Sequence, residues 1–485
     1  MTSLINFSDL KMYINGEWVG SYSDSKLTVT NPSTGEVVGE VPNGGRKETK
    51  QAIQAAETAF PLWARLTAYE RADYLMKLKG LMLEYKDELA KLMSTEMGKP
   101  VTEAAGEIVY ASNFLGWFAE EGRRVYGETI PASVANKRLM VIRQPIGVTA
   151  AITPWNFPLA MITRKLGPAL AAGCTGVVKP AEKSPISAIA FAKLVEMAGF
   201  PKGVINIVTG HYGEITDEFF DHPAVKKISF TGSTQVGKQL VAKSAPGLKK
   251  LSMELGGHSP LIVFEDADIE LAAAGAVTSK FRNAGQTCIC ANRIYVHRSV
   301  VDKFTDIFIN KVRSLQVGIS TEPNVQVGPL VSADGLSKVE RHVQDAVDKG
   351  ARVISGGKRL DRNELANGLF YEPTILTNVS DDMVIMREET FGPVAPIVPF
   401  DTDEEVVRMA NNTEYGLAAY FYTQNFNRAI RIAEALEFGT IGLNDALPAV
   451  PQAPFGGMKH SGIGREGGHQ GIDEYLEDKF ISIGL

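Results

Sequence analysis

The distribution of hydrophobic positions changes along the chain and predicts different elements in different parts. In residues 70–97, leucine, methionine and tyrosine side chains recur at spacings of three and four, which predicts one amphipathic helix. From Gly147 onwards, short apolar runs alternate with helical stretches about every 25 residues, as βαβ units require. The pattern therefore predicts an α/β chain with a parallel, doubly wound sheet. The runs are GVTAAI (147–152), TGVVK (175–179), VINIVTG (204–210), KKISFTG (226–232) and LSMELGG (251–257).

A second α/β stretch follows the first without a linker rich in Pro, Gly or Ser. Helical segments are expected up to about Asn283 and near 299–315. The chain has 485 residues, too many for one simple core, so two or more closely packed domains are expected. The predicted strands of this stretch are SPLIVF (259–264), RIYVH (293–297), PTILTN (373–378), VAPIVPF (394–400) and LAAYFYT (417–423).

Composition and charge argue against several classes of protein function. Apolar residues make up 44% and charged residues 22%, which is typical of a globular protein, and the net charge of -6 argues against a surface for nucleic acid or anionic lipid. The apolar zone from Gly147 to Val178 is interrupted by prolines and charges, so no membrane span is predicted, and the N-terminus lacks the pattern of a signal peptide. Three cysteines make no disulfide framework, which favours a reducing cytoplasm, and no metal site is predicted.

Two of the three cysteines lie one residue apart in RNAGQTCICANR (282–293). A free cysteine is usually a small buried hydrophobic residue, and that alternative applies here. Against it, Arg282 and the polar neighbours are expected to favour a thiolate at Cys288. A thiolate that attacks a carbonyl needs a donor for the oxyanion, a base for a later water and an acceptor for the leaving group.

Two upstream segments offer the first two of these helpers. Asn156 lies between prolines in TPWNFP (153–158), just after a predicted strand, so its amide is held rigidly and can donate without titrating. Glu254 ends a predicted strand before two glycines in MELGGHSP (253–260), where partial desolvation would raise its pKa towards that of a general base. The alternative for Glu254 is an ordinary surface carboxylate.

Two segments have the right context for a dinucleotide, and a third does not. In FTGSTQVG (230–237), Gly232 would admit a phosphate to the backbone and Ser233 would donate a hydroxyl, the alternative being a plain helix cap. In KPAE (179–182), Lys179 and Glu182 suit ribose hydroxyls, and Glu182 would repel a 2′-phosphate, which favours NAD over NADP; the alternative is a solvated turn. The literal G-x-G-x-x-G match at 462–467 follows no apolar strand and is interpreted as a flexible surface turn.

The segments TPWNFP, KPAE, FTGST, MELGG, GQTC and EETFGPV occur in an order and spacing that resemble the NAD(P)-dependent aldehyde dehydrogenase superfamily, from about residue 11 to the C-terminus. The resemblance implies that Cys288 attacks the aldehyde to give a thiohemiacetal, with the Asn156 amide and the Cys288 N–H as oxyanion hole. Hydride transfer to the nicotinamide would leave a thioester, which water activated by Glu254 would hydrolyse. The implied cofactor contacts are Trp155, Lys179, Glu182, Gly232, Ser233, Leu255, Glu389 and Phe391.

The resemblance also implies a fold and an assembly. The expected fold is aldehyde dehydrogenase-like: a doubly wound parallel-sheet cofactor domain (1–123 and 146–253), an α/β catalytic domain (254–445), and a small β oligomerisation arm with the C-terminal tail (124–145 and 446–485). A homodimer or homotetramer is expected, because in this family the arm completes a sheet in a neighbouring subunit.

Three segments, PWNFPLAMITRK, KFRNAGQTCICANR and GREGGHQGIDEYLE, resemble succinate-semialdehyde dehydrogenases. Arg164 and Arg282 match positions that anchor the substrate's distal carboxylate in those enzymes, and a guanidinium pairs well with a carboxylate; the alternative is a structural ion pair. Ala449 and Val450 stand where that subfamily often has a serine. Glutarate semialdehyde, or broad oxidation of aliphatic aldehydes, is therefore an alternative.

Further alternatives concern the remaining cysteines and other classes of protein. If Cys288 and Cys290 lay in a strand, both would point to the same side, and the resemblance suggests a redox switch; the bland alternative for Cys290 is a passive small residue. Cys174 is expected in the core. A cofactor-independent cysteine hydrolase would use His258 as its base, and a catalytically silent structural protein is the last alternative.

Overall fold

The computed structural model describes residues 4–361 and 363–485. Its α-helices, in chain order, are α1 (Arg46–Arg65), α2 (Ala68–Glu84), α3 (Lys86–Met97), α4 (Val101–Glu121), α5 (Pro158–Ala172), α6 (Pro185–Ala198), α7 (Tyr212–Asp221), α8 (Thr234–Ser244), α9 (Ile269–Phe281), α10 (Val301–Arg313), α11 (Ala333–Asp348), α12 (Asp403–Asn411), α13 (Phe426–Ala435) and α14 (Gln470–Asp473).

The β-strands, in chain order, are β1 (Met12–Ile14), β2 (Glu17–Val19), β3 (Lys26–Thr30), β4 (Val37–Pro42), β5 (Glu128–Ile130), β6 (Lys137–Pro145), β7 (Val148–Ile152), β8 (Thr175–Lys179), β9 (Ile205–Ile207), β10 (Val225–Thr231), β11 (Lys250–Glu254), β12 (Ser259–Val263), β13 (Ala291–His297), β14 (Arg352–Ser355), β15 (Arg359–Leu360), β16 (Phe370–Tyr371), β17 (Thr374–Thr377), β18 (Val394–Phe400), β19 (Tyr415–Gly416), β20 (Ala418–Tyr422), β21 (Thr440–Leu443), β22 (Met458–Lys459), β23 (Gly462–Ile463) and β24 (Leu476–Gly484).

The first large sheet has the strand order β2-β1-β9-β8-β7-β10-β11-β23. Its central strands, β9 to β11 in that order, pair in parallel, whereas the strands at both edges are antiparallel. The chain enters this parallel part at β7, continues to β8 and β9 on one side, and then crosses to β10 and β11 on the other. Such a reversal of strand order opens a crevice at the carboxyl ends of the strands, where α/β proteins bind ligands.

Apolar side chains on both faces of this sheet explain why its strands read as continuous hydrophobic runs. On one face, α1 and α7 pack over Val148, Ala150 and Val177. On the other face, α5 and α6 pack against the sheet, and α2, α3 and α4 cover them. Helix α5 is buried along its whole length, which places its two cationic residues, Arg164 and Lys165, inside the protein.

The second large sheet, β14-β17-β18-β13-β12-β20-β21, carries the other core. It is parallel except for β14 at its edge. A smaller antiparallel sheet has the order β24-β6-β5, so residues 137–145 lie beside the C-terminal tail. No described helix is long and apolar enough to cross a membrane.

The structure confirms the predicted strands, and it corrects two local interpretations. The single helix predicted over 70–97 is wrong: Tyr85 has dihedrals of φ −94° and ψ 17° and separates α2 from α3. The apolar spacing continues across this break, so periodicity could not reveal it. The segment interpreted as a surface turn begins with β23, which pairs with Met253 and Glu254 at the edge of the first sheet.

Candidate active site

The residues predicted to bind a cofactor meet at one edge of the first sheet. The register places Ile152 beside Lys179 and Phe230, and Thr231 beside Glu254, so four neighbouring strands end together. This is the crevice that the strand order creates. The predicted residues that lie at or just beyond these strand ends are Trp155 and Asn156 after β7, Lys179 and Glu182 at β8, Gly232 and Ser233 after β10, and Glu254 and Leu255 at β11.

Lys179 and Glu182 form an ion pair at the end of β8. Lys179 Nζ lies 2.6 Å from Glu182 Oε1, with the lysine buried and the carboxylate one-third exposed. Burial lowers the pKa of Lys179, and the Glu182 carboxylate opposes that effect. The pair therefore presents a carboxylate at the crevice, fixed by a buried cation.

Ser233 caps α8, as its alternative interpretation predicts. Its Oγ accepts a hydrogen bond from the Val236 N–H at 3.3 Å, and the residue is exposed. Gly232 N donates to the Glu254 carbonyl at 3.1 Å, which ties the start of the loop to β11. A capped helix N-terminus at a sheet crevice is suited to a pyrophosphate, because its first N–H groups have no partner within the helix.

Two glycines after Glu254 let the second α/β unit approach the crevice. A Cβ on Gly257 would collide with the carbonyl oxygen of Cys288, and a Cβ on Gly256 would lie 2.9 Å from Glu389 Oε2. Glu389 Oε1 also accepts from Gly257 N at 3.0 Å, and burial raises the Glu389 pKa to about 7. The glycines were predicted to admit a ligand; what they admit in this structure is the chain's own Cys288 and Glu389.

Other predicted cofactor residues also lie at this junction. Phe391 packs edge-on against Trp155, with ring centroids 5.6 Å apart, and Phe391 has a left-handed backbone with φ 53°. Leu255 is buried, and its N–H donates to the Ser461 carbonyl at 2.9 Å. The two α/β units thus contribute facing side chains to one cleft.

Cys288 lies in a turn that the preceding residues hold in an unusual conformation. Asn283, Ala284 and Gly285 all have positive φ, which costs roughly 1–2 kcal/mol for a residue with a Cβ. The Gln286 side chain fastens the turn, because its Nε2 donates to the Asn283 carbonyl at 3.0 Å and its Oε1 accepts from Val331 N at 2.9 Å. The segment 282–286 therefore supports the turn that carries Cys288.

Cys288 and Cys290 do not lie in a strand. The Cys290 N–H donates to the Thr287 carbonyl at 3.0 Å, which closes a turn, and β13 begins only at Ala291. Cys290 is buried, with its thiol 3.6 Å from the Lys280 carbonyl. The same-side argument for a disulfide switch therefore loses its basis, whereas a passive small residue agrees with this environment. Cys174 is buried in the core, as predicted.

Arg282 acts on the Cys288 thiol in the predicted direction, but burial of the thiol has the larger effect on its pKa. Burial raises the pKa of the Cys288 thiol to about 12, and Glu389 and Glu254 add to that effect. Arg164 and Arg282 act in the opposite direction but do not outweigh burial. Burial is therefore the main influence on the Cys288 pKa in the free protein.

Asn156 is fixed next to the Cys288 turn. Its amide Nδ2 donates to the Gln286 carbonyl at 3.1 Å, two residues before Cys288. The Asn156 carbonyl accepts from Lys99 Nζ at 2.8 Å and from Asn283 Nδ2 at 3.3 Å. A carboxamide has two N–H donors, so one hydrogen bond to Gln286 leaves the second for a ligand.

Glu254 is a buried carboxyl group with neither oxygen hydrogen-bonded within the described residues. Burial raises its pKa well above the ordinary value, and the nearby Glu466 charge raises it further. Glu466 differs because Lys165 Nζ lies 2.6 Å and Arg164 Nε 2.8 Å from its oxygens, and these cations lower its pKa although burial opposes them. One carboxyl group is thus poised to exchange a proton, and its neighbour stays ionised.

Cys288 opens into a cavity of about 350 Å³ that also contains Arg164 and Arg282. Arg164 is buried, stacks 4.3 Å from the Phe455 ring centroid and pairs with Glu466. Arg282 is half-buried over the Phe157 ring, and its Nε has no hydrogen-bond partner among the described residues. The remaining wall is formed by Lys99, Glu103, Gly106, Glu107, Tyr110, Phe157, Met161, Thr287, Ile289, Leu447, Ala449 and Phe455.

Several polar residues of this wall were missed by the sequence reasoning. Glu103, Glu107 and Tyr110 lie on one face of α4 at spacings of four and three, which a helical projection would have grouped. Glu466 lies inside the glycine-rich segment that was rejected as a dinucleotide motif. His258, by contrast, is buried outside the described lining of the cavity, and burial lowers its pKa well below the ordinary value.

This arrangement combines a thiol, an amide donor, a high-pKa carboxyl group and a cationic wall around one cavity. Comparison with known proteins agrees with it. Residues 18–481 match the model of the aldehyde dehydrogenase family. The chain is 52% identical to the glutarate-semialdehyde dehydrogenase of Pseudomonas aeruginosa over 472 residues, covering 97% of both chains. It is equally similar, at 52% over 472 residues and 97% of both chains, to the NADP(+) succinate-semialdehyde dehydrogenase of Escherichia coli K12.

Solved structures extend the agreement to three dimensions. The succinate-semialdehyde dehydrogenase of Burkholderia pseudomallei superposes with a TM-score of 0.97 at 51% identity, over 100% of this chain and 99% of that one. The predicted aldehyde dehydrogenase fold is therefore confirmed. On the strength of this full-length agreement, the chain belongs to the aldehyde dehydrogenase family of NAD(P)-dependent oxidoreductases.

Proposed function

We propose that this enzyme oxidises a short aldehyde bearing a distal carboxylate, with succinate semialdehyde as the preferred substrate. The observation that carries the proposal is the cavity in which Cys288 faces the guanidinium groups of Arg164 and Arg282. A guanidinium fork recognises a carboxylate by paired hydrogen bonds, and an aldehyde of this length would place its other end at the thiol. Relatives named for succinate and glutarate semialdehydes support this substrate class.

Cys288 is the proposed nucleophile, and Asn156 the proposed oxyanion donor. The Cys288 thiol loses its proton to solvent, the resulting thiolate bonds to the aldehyde carbon, and the carbonyl electron pair moves to oxygen to give a tetrahedral adduct. The Asn156 amide, held beside the turn by its contact with Gln286, and the Cys288 N–H would stabilise that negative charge. A donor fixed before the reaction needs no reorganisation during it, which is the source of its catalytic effect.

The crevice has the features that a nicotinamide dinucleotide requires. Lys179 and Glu182 would hold the adenosine ribose, Gly232 and Ser233 the pyrophosphate, and Glu389 the nicotinamide ribose, with Trp155, Leu255 and Phe391 around them. The capped N-terminus of α8 suits a phosphate. When bound, the cofactor accepts the hydride that the aldehyde carbon loses.

Glu254 is the proposed base for release of the acid. Its raised pKa and its two oxygens without hydrogen-bond partners suit a group that takes a proton from water as the water attacks the Cys288 thioester. The oxygen of water bonds to the acyl carbon, the carbon–sulfur bond breaks, and the sulfur leaves as the thiolate. Release is thus expected to quicken as pH rises through the Glu254 pKa.

NAD is the proposed preferred cofactor. Glu182 presents a carboxylate fixed by Lys179, and a carboxylate at the ribose would accept hydroxyl hydrogen bonds and repel a 2′-phosphate. The Escherichia coli relative carries NADP(+) in its name, so the two cofactors need direct comparison.

The sheet organisation supports the proposed division of the chain. The first sheet would hold the cofactor, the second would carry the nucleophile turn, and the β5–β6–β24 sheet would form the arm between subunits of a homodimer or homotetramer. The segment 462–463 is an exception to the proposed boundaries, because β23 joins the first sheet.

The test is the rate of reduced-cofactor formation at 340 nm with succinic semialdehyde and with butanal, which has the same chain length and no carboxylate. With NAD, we expect kcat/KM at least 100-fold higher for the semialdehyde, equal to about 2.7 kcal/mol of transition-state binding. NADP should give lower kcat/KM than NAD. Equal values for the two aldehydes would reject the semialdehyde assignment, and glutaric semialdehyde in the same assay decides chain length.

A further inference from the structure

A buried ion pair that takes no part in the proposed reaction steps lies next to Asn156, the proposed oxyanion donor. Lys99 and Glu107 pair with each other, and each side chain is only 1% exposed. Burying two charges is costly unless both are paired and their remaining hydrogen-bonding groups are satisfied. Hydrophobic residues of similar size would fill this space at no such cost, so the pair needs an explanation beyond packing.

The hydrogen bonds of the pair converge on the segment that carries Asn156. Lys99 Nζ donates to the Asn156 carbonyl at 2.8 Å and lies 3.7 Å from the Phe157 ring centroid. Glu107 Oε1 accepts from the N–H groups of Leu159 and Ala160 at 3.0 and 3.2 Å, which caps the first turn of α5. The pair therefore holds the main chain on both sides of residue 157 by hydrogen bonds.

Helix α4, which carries Glu107, also supports the turn that carries Cys288. Glu103 Oε2, one turn before Glu107 on α4, accepts from the Asn283 N–H at 2.9 Å. The Asn283 side chain then donates to the Asn156 carbonyl at 3.3 Å and to the Gln286 carbonyl at 3.2 Å. A continuous set of hydrogen bonds thus connects the start of α4 to both sides of the proposed oxyanion hole.

We propose that Lys99 and Glu107 are positioning residues, which fix the main chain at Asn156 and thereby hold its amide where the aldehyde oxygen becomes negative. This inference rests on the proposed oxyanion role of Asn156. Oxyanion donors act through geometry set before the reaction, and displacement of about 1 Å can cost about 100-fold in rate. The pair therefore contributes to catalysis without touching the substrate's reacting atoms.

The test is a double-mutant cycle with Asn156→Ala. Lys99→Met alone would leave the Glu107 charge buried and unpaired, which is strongly destabilising. The variant of choice is Lys99→Met with Glu107→Gln, because it removes both charges, nearly keeps side-chain volume, and retains an oxygen that accepts from Leu159 and Ala160. We measure kcat/KM for aldehyde oxidation of the full enzyme in both backgrounds.

In the wild-type background, the double variant should lower kcat/KM by roughly 10- to 100-fold. In the Asn156→Ala background, the same substitutions should lower it less than about threefold, because the group they position is gone. Full loss in both backgrounds, or no loss in the wild-type background, would overturn the inference.

Two controls separate failure of this inference from failure of the proposed function. Asn156→Ala alone should lower kcat/KM by roughly 100- to 1,000-fold; if it does not, the oxyanion role is wrong and the positioning role falls with it. If Asn156→Ala has its effect and the double variant has none, only the positioning role falls. Lys227→Met with Glu474→Gln removes another buried lysine and its carboxylate, at the opposite end of β10, and should leave kcat/KM unchanged.

Discussion

The two arginines of the cavity differ in the carboxyl groups that face them. Arg164 pairs at 2.8 Å with Glu466, whose pKa is lowered because Lys165 and Arg164 outweigh its burial. Arg282 interacts with Glu103, whose pKa burial raises to about 7. The positive charge of Arg164 therefore faces a carboxyl group that favours its ionised form, whereas the carboxyl group near Arg282 is more readily protonated.

Because of this difference, we expect the two arginines to have different roles. A cation whose charge is already compensated stabilises the fold and the local field around Glu254. A cation that is half-buried and faces the more readily protonated carboxyl group is the better anchor for an incoming carboxylate. The resemblance treated both arginines as equal anchors; we propose Arg282 for recognition and Arg164 for support.

The largest expected effect is that of Arg164→Met on stability. The substitution leaves Glu466 buried with Lys165 as its only remaining cation, so we expect a loss of about 3 kcal/mol in the free energy of unfolding. Chemical denaturation measures it. The residual kcat/KM should fall by a similar factor for succinic semialdehyde and butanal. A selective loss for the semialdehyde, with stability unchanged, would make Arg164 the anchor instead.

Next in size is Arg282→Leu, which should remove recognition of the carboxylate. We expect the ratio of kcat/KM for succinic semialdehyde to that for butanal to fall about 100-fold, or about 2.7 kcal/mol, with butanal oxidation little changed. Arg282→Lys is the matched control, because it keeps the positive charge but loses the planar guanidinium group. Its ratio of kcat/KM values should lie between those of the wild type and Arg282→Leu. An unchanged ratio in Arg282→Leu would show that Arg282 does not recognise the carboxylate.

Glu466→Gln should shift a pH dependence. Glu466 raises the pKa of Glu254 by its negative charge, and its removal also leaves Arg164 and Lys165 uncompensated nearby. Both changes lower the Glu254 pKa, so the rising limb of acyl-enzyme hydrolysis should move to lower pH by roughly one unit or more. Single-turnover hydrolysis across pH measures this limb. A shift to higher pH would show that Glu466 does not set the Glu254 pKa.

The smallest expected effect comes from Ala449→Ser. Ala449 lines the cavity at a position where the resemblance implies a serine, and Val450 beside it is exposed. A new hydroxyl donor to the carboxylate would contribute about 1 kcal/mol, or roughly fivefold in kcat/KM for the semialdehyde. Val450→Ser serves as the neighbouring control. Improvement for butanal as well would show an effect unrelated to the carboxylate.

Sequence reasoning succeeded where one local signal was sufficient. Strands with continuous apolar runs, such as TGVVK and VAPIVPF, appear at their expected places. The burial of Glu254 also followed from its position at a strand end before two glycines. These are properties of short segments, so a single sequence contains them.

Sequence reasoning failed where segments that are distant in the chain determine the pKa or the partner of a side chain. The protonation of Cys288 depends on burial by several elements, and no neighbour in RNAGQTC reports that burial. The pairing of Arg164 with Glu466 joins α5 to a segment about 300 residues later, and Lys99 reaches Asn156 across 57 positions. Periodicity can group side chains on one helix, but it does not show which helix faces which loop.

The most direct test of the account is a crystal structure of the Cys288→Ala variant with succinic semialdehyde. The variant cannot form the covalent adduct, so the aldehyde should rest in its binding position. The account predicts the carboxylate within hydrogen-bonding distance of the Arg282 guanidinium and the aldehyde oxygen beside the Asn156 amide. A carboxylate bound away from Arg282, or an aldehyde group directed away from residue 288, would contradict it.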